Sequence, residues 1–308
     1  MNSAAVNASR PTQNSHARRI AVIAMHAFTQ LMRMKVFYFL MVFAVIALGS
    51  NFFDLPQHAG PETMGLNVLR AVQSWSLGTM TLFAVVLGIV ATALLLPKDV
   101  EDRTLYTILA KPVPRLDYLA GKLLGVLLLI AVSLVLMDLL MLAVLQVRVS
   151  LFMAQLDEMA AAGEAASRVA TMRAEVLANG PSWSLQGAVI AVFLRASIMA
   201  SMALFISTFS SSTLFTSMVS FLIYFIGHYQ AAAREVFFAG DGNGWLARGA
   251  GLLIALVLPD FAIFNVIDEV LQGVAMPLAM LGKLAGLGLF YAVFFLLASW
   301  YVFADKEF

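Results

Sequence analysis

The sequence predicts an all-α, polytopic membrane protein, and three observations carry that expectation. Of its 308 residues, 61% are hydrophobic, against about 45–50% in soluble domains. Only 12% are charged, and the mean hydropathy is +0.89. The apolar residues gather into runs of about 20, the length a helix needs to cross the hydrocarbon core.

Composition also excludes whole classes. A net charge of +1 argues against a nucleic-acid binder, which needs a basic surface for the phosphate backbone. The chain has no cysteine, which rules out disulfides, thiolate metal sites and cysteine nucleophiles. His16, His26, His58 and His228 are scattered, so no metal centre is expected. The N-terminus lacks the pattern of a cleavable leader.

The elements follow in order. Residues 18–35 read as an amphipathic, interfacial helix. Arg19, His26, Gln30 and Arg33 cluster on one side at about 100° per residue, with Met25, Phe28, Leu31 and Met32 on the other. Val22 and Ile23 blur the separation. Six spans are expected at 36–53, 75–97, 122–147, 187–209, 212–231 and 284–304. The segment 245–258, "WLARGAGLLIALVL", ends at Pro259 and is short for a crossing. It reads as a re-entrant segment before the last span, with a seventh span as the alternative.

Between the third and fourth spans, Met159, Ala162, Ala166, Val169, Met172 and Val176 recur at helical spacing, and Asn179-Gly180-Pro181 is a stop signal. A helical excursion outside the membrane is expected there. The hydroxyls from Ser207 to Ser217 are expected to bond within and between helices.

Charge sets the orientation. With six spans both termini share a side. Placing them in the cytoplasm puts Arg10, Arg18, Arg19, Arg33, Lys35, Lys98, Arg103, Lys111, Arg115, Lys122 and Lys306 inside. Arg70, Arg148, Arg168, Arg173, Arg234, Arg248 and Lys283 then lie outside. The positive-inside rule favours that choice, leaving 98–121 cytoplasmic and 148–186 and 232–283 extracytoplasmic.

Two ionisable residues fall inside spans, where charge is costly. Asp138 lies 16 residues beyond Lys122, or about 24 Å along a helix. Arg195 lies 15 residues before Ser210, or about 22 Å from the same face. Equal depth predicts a pair between the third and fourth spans, or a shared polar cavity.

Recognisable catalytic signatures are missing. A motor would need G-x-x-x-x-G-K-[ST] to bring backbone amides, Lys and Mg²⁺ to the phosphates. "GKLLG" at Gly121–Gly125 lacks both the upstream glycine and the hydroxyl residue. H-E-x-x-H and G-x-S-x-G do not occur. A non-enzymatic chain is expected, with no cofactor.

The connection "PKDVEDRTLYTILAKPVPRLDYLAGK" (97–122) concentrates charge in a chain that has little. Pro97 can open a short helix with Asp99, Glu101 and Asp102 in its first turn, favoured by the helix dipole. Glu101, Leu105, Ile108 and Leu109 would share one face, and Pro112 and Pro114 would end it. The stretch resembles the first cytoplasmic loop of type-2 ABC exporter permeases. The likeness is to separate membrane subunits such as those of sodium-extrusion, gliding-motility and nitrous-oxide-reductase maturation systems. The matching residues are Glu101, Thr104, Leu105, Leu109, Lys111, Pro112, Arg115, Gly121 and Lys122, with Ala110 and Pro114 departing from the usual serines. "ALFISTFSSS" and "LPDFAIFN" resemble the end of the family's fourth span and a segment before its last.

The resemblance implies a permease subunit in a bacterial inner membrane, working as a homodimer or with a related permease and driven by a cytoplasmic ABC ATPase subunit. It implies that Glu101, Arg103, Leu105, Ile108, Leu109, Lys111 and Arg115 form the ATPase-coupling element. A secondary transporter or channel using Asp138 and Arg195 is the alternative from another class. The cargo is not legible.

Overall fold

The computed structural model describes residues 16–52, 64–101, 114–210, 212–230, 259–273 and 276–304. Among these residues the structure is helical, without strands. In chain order the described helices are α1 (His16–Met32), α2 (Lys35–Gly49), α3 (Met64–Glu101), α4 (Arg115–Ala161), α5 (Ala166–Ala178), α6 (Trp183–Phe209), α7 (Thr213–His228), α8 (Ile267–Leu271) and α9 (Leu278–Ala304). Of these, α8 is only a single turn and the rest are two turns or more.

Four stretches are long and apolar enough to cross a membrane, in α3, α4, α6 and α9. The α1–α2 pair passes the same test together but is bent by 69°. Every expected span therefore falls on a helix, though not always a full-length one. Helix α7 has 16 residues, about 24 Å at 1.5 Å per residue, short of the ~30 Å core. The chain is a multi-pass, all-α membrane protein.

Helix α6 is the central post, touching α3, α4, α7 and α9. Its small residues allow this: Ala188, Ala191, Ala196, Ala200 and Ala203 are buried, and such residues let backbones approach closely. Gly88 of α3 meets it there, where a Cβ would stand 3.2 Å from the Ala196 carbonyl oxygen. Of the hydroxyls expected to bond, Ser207 and Thr208 do so within their own helix, while Thr216 Oγ1 has no partner among the described residues. Ser197 and Ser201 also donate to carbonyls of their own helix, and Ser212 caps α7 by accepting from Phe215 N–H.

The excursion after the third span is a hairpin rather than one helix. Helix α4 runs on to Ala161, the chain reverses through Gly163 at φ 91°, and α5 returns beside it. Leu156, Val169 and Val176 are buried between the arms, and Arg173 pairs with Asp157. Ala162 and Ala166, although in helical register, are exposed. The stop signal acts where expected: α5 ends at Ala178, and Asn179 is gripped by Arg70 (Nε to Oδ1, 3.1 Å) and Gln73 (Nε2 to the carbonyl, 2.8 Å) of α3.

Two boundaries differ from the sequence reading. Helix α3 continues through Pro97 to Glu101, so Pro97 does not open a separate helix. Helix α4 begins at Arg115, seven residues before the span boundary expected at Lys122. Its charged first turns are helical because α1 packs on them and supplies polar partners. The residues 102–113 of the expected coupling element lie outside the described residues, as does 245–258, the expected re-entrant segment.

Candidate functional site: a junction after the charged connection

The first turns of α4 carry Arg115, Asp117, Tyr118 and Lys122, which reach two other elements, α1 and α9. Asp117 is 3% exposed. Its carboxylate accepts from His16 Nδ1 at 2.9 Å and forms an ion pair with Arg19, whose Nε lies 3.3 Å away, both on α1. A buried carboxylate needs such donors. Lys122, also 3% exposed, lies 5.7 Å from the centre of the Tyr118 ring and donates to Gln30 of α1.

Between these polar contacts the two helices touch backbone to backbone. A Cβ on Gly121 would come within 2.6 Å of Ile23 Cβ, and one on Gly125 within 2.7 Å of the Ala24 carbonyl oxygen. Glycines four residues apart thus form a flat strip against which Ile20, Ile23, Ala24 and Ala27 lie.

This packing revises the reading of 18–35. The helix forms as expected, but its buried side cuts across the polar–apolar division. Arg19 and Gln30, assigned to the water-facing side, turn toward α4 because Asp117 and Lys122 are there. Met25 and Val22 are exposed instead. Sequence periodicity alone could not show this, because the partner charges lie about a hundred positions away.

Arg115 reaches the other end of the chain. Its Nη1 donates to the carbonyls of Phe303, at 2.7 Å, and Ala304. These are terminal carbonyls of α9, which have no acceptor role left inside the helix and favour a cation. Tyr118 stacks on the Phe303 ring at 6.2 Å. Four residues of α4 therefore bind α1 and α9 directly beside the charged connection. Of the coupling residues expected from sequence, Arg115 is engaged inside the molecule. The helix reaches Glu101, and Arg103, Leu105, Ile108, Leu109 and Lys111 lie outside the described residues.

The two intramembrane charges do not meet. Asp138 accepts a hydrogen bond from Gln186 Nε2 at 3.1 Å. Arg195 donates from Nη2 to the carbonyl of Phe261 at 2.8 Å. The depth estimate failed at its origin: Lys122 is not the start of the helix. Counted from Arg115 and Phe209, the residues differ by nine positions, about 13 Å along the axis. Gln186 lies nine residues before Arg195, in agreement with its contact to Asp138.

Among the described residues no group of three His, Asp or Glu side chains could hold a metal ion. The arrangement is mechanical: ion pairs, caps and close helix contacts around one connection. The model of the ABC-2 family transporter proteins matches residues 21–308. The chain belongs to that family. No curated protein sequence matches it.

For an ABC-2 transporter protein the membership fixes a role. This chain is a membrane permease subunit of an ABC transporter. The match runs from within α1 through α9, so most of the bent entry helix, the hairpin arm and the turn before α9 belong to the family domain. Sequence reasoning missed Asp117, His16 and Tyr118 as junction residues. A signal existed for Asp117: an acid between Arg115 and Lys122, a few residues before the predicted span.

Proposed function

We propose that this chain is the transport path of an ATP-driven exporter, coupled to a separate cytoplasmic ATPase subunit through the connection between α3 and α4. The observation that supports it most is the junction. The connection leads straight into Arg115, Asp117, Tyr118 and Lys122, which hold α9 and α1. An ATPase pushing on 98–115 would move α4 together with both terminal helices of the domain. The charges of 98–115 suit docking in a cleft that closes with ATP, with Glu101 and Arg103 as rim contacts and Leu105, Ile108 and Leu109 as the apolar face.

Topology follows from the same reading. Both termini and the connection lie in the cytoplasm of a bacterial inner-membrane protein, and the α4–α5 hairpin stands outside. Two copies, or one copy and a related permease, would enclose the path. An open groove of about 470 Å³ between α2 and α3, lined by Phe43, Ala47, Trp75, Gly78 and Leu82, gives one wall for such a contact. A secondary transporter using Asp138 and Arg195 as one ion site loses its basis, since each has its own partner.

The test is co-purification of the full-length chain with a cytoplasmic ABC ATPase subunit from its source cells, and stimulation of that ATPase in proteoliposomes. Wild-type protein should bind and stimulate. Charge reversal at Glu101 and Arg103 should abolish both without preventing membrane insertion.

A further inference from the structure

The turn Phe261–Phe264 is a single 3-10 turn, and both phenylalanines are buried. Backbone without a helical ladder needs outside partners for its polar groups, and the more so inside a membrane domain. Asp260 supplies one, accepting from Ala262 N–H at 3.0 Å. Arg195 supplies another through the Phe261 carbonyl. The Phe261 ring rests on Gly227 of α7, where a Cβ would come within 2.6 Å of it, and lies 5.6 Å from the Tyr224 ring. The turn is thus inserted between α6 and α7, and one guanidinium grips its backbone.

Arg195 is an expensive way to do this. It is 3% exposed, its Nε has no hydrogen-bond partner among the described residues, and its other facing partner is the Tyr224 hydroxyl of α7 rather than a carboxylate. A buried cation without a carboxylate costs far more than an apolar side chain of the same volume. Intramembrane cations are kept where they perform a task that packing cannot.

We propose that Arg195 is a positioning residue that latches the 259–264 turn in the bundle, and that the turn withdraws when this bond is broken. The carbonyl bond, rather than the fit of the Phe261 ring, decides whether the turn stays seated. The use of this latch as a gate rests on the permease reading. The latch itself is a property of the isolated chain.

The absence of cysteine permits a direct test on full-length protein in lipid nanodiscs, with N-ethylmaleimide as the probe. Ala262→Cys places the sole thiol on the half-buried turn, and Ser133→Cys places a control thiol at a fully buried site of α4. Adding Arg195→Met should speed labelling at position 262 by about tenfold, the shift one charge-assisted hydrogen bond carries. Labelling at 133 should stay slow, and Arg195→Lys should restore slow labelling at 262. Should Arg195→Met fail to fold, Arg195→Gln, which removes the charge and shortens the side chain, takes its place and should give the same acceleration. Unchanged labelling at 262, equal acceleration at 133, or failure of the lysine rescue would each overturn the proposal. None of these rates needs an ATPase, so they stand or fall separately from the exporter reading.

Discussion

Asp117, buried at the head of α4, holds Arg19 of α1 at 3.3 Å, across 98 positions of sequence. This pair joins the entry helix to the connection at which an ATPase would act. Removing Asp117 takes away the carboxylate that faces Arg19, and removing Arg19 leaves Asp117 with His16 alone. Asp117→Ala should therefore destabilise the protein by about 1–3 kcal/mol. A double-mutant cycle with Arg19→Ala, read by thermal unfolding in detergent, should give a coupling energy of about 0.5–3 kcal/mol. Additive losses would mean that the pair is incidental.

The glycine strip makes a sharper steric prediction. At Gly125 an added Cβ meets the Ala24 carbonyl oxygen at 2.7 Å and Ala27 Cβ at 2.7 Å. Neither is the end of a flexible side chain. Gly125→Val should cost about 1–3 kcal/mol through overpacking and release α1, raising protease cleavage near its start. Gly78→Ala, in open space, should leave that cleavage unchanged.

Apolar runs, helical spacing and a stop signal made most of the fold legible. Each is a local property: a run of apolar residues, or Asn179 after α5. What stayed hidden depended on partners distant in sequence. Arg19 and Gln30 looked solvent-facing until Asp117 and Lys122 were found opposite them. Asp138 and Arg195 looked paired because Lys122 was taken as the edge of the bundle, although α4 starts at Arg115. The charged connection was recognisable from its residues, but its tie to α9 through Arg115 needed the three-dimensional course of the chain.

The separate partners of Asp138 and Arg195 predict an outcome for charge exchange. Asp138→Arg and Arg195→Asp should each lower the yield of folded protein, and combining them should give no rescue. Size-exclusion profiles of the two single variants and the double variant decide this. Recovery of wild-type behaviour in the double variant would restore the direct pair.

The hairpin arm depends on Gly163, whose φ of 91° suits glycine alone among common residues. Gly163→Ala has space for its methyl group, so its cost is conformational, about 1–2 kcal/mol. Hydrogen exchange should quicken across 156–176 and remain unchanged in α6. A uniform response would place the effect elsewhere.

The coupling account rests most directly on ATPase stimulation by the reconstituted permease. With the co-purifying ATPase subunit in proteoliposomes, wild-type protein and an Arg168→Ala surface control on α5 should stimulate hydrolysis equally. The Glu101→Lys, Arg103→Glu double variant should lose at least about tenfold of that stimulation, or about 1.4 kcal/mol of coupling, while inserting normally. Full stimulation by the double variant would contradict the assignment of the α3–α4 connection as the coupling element.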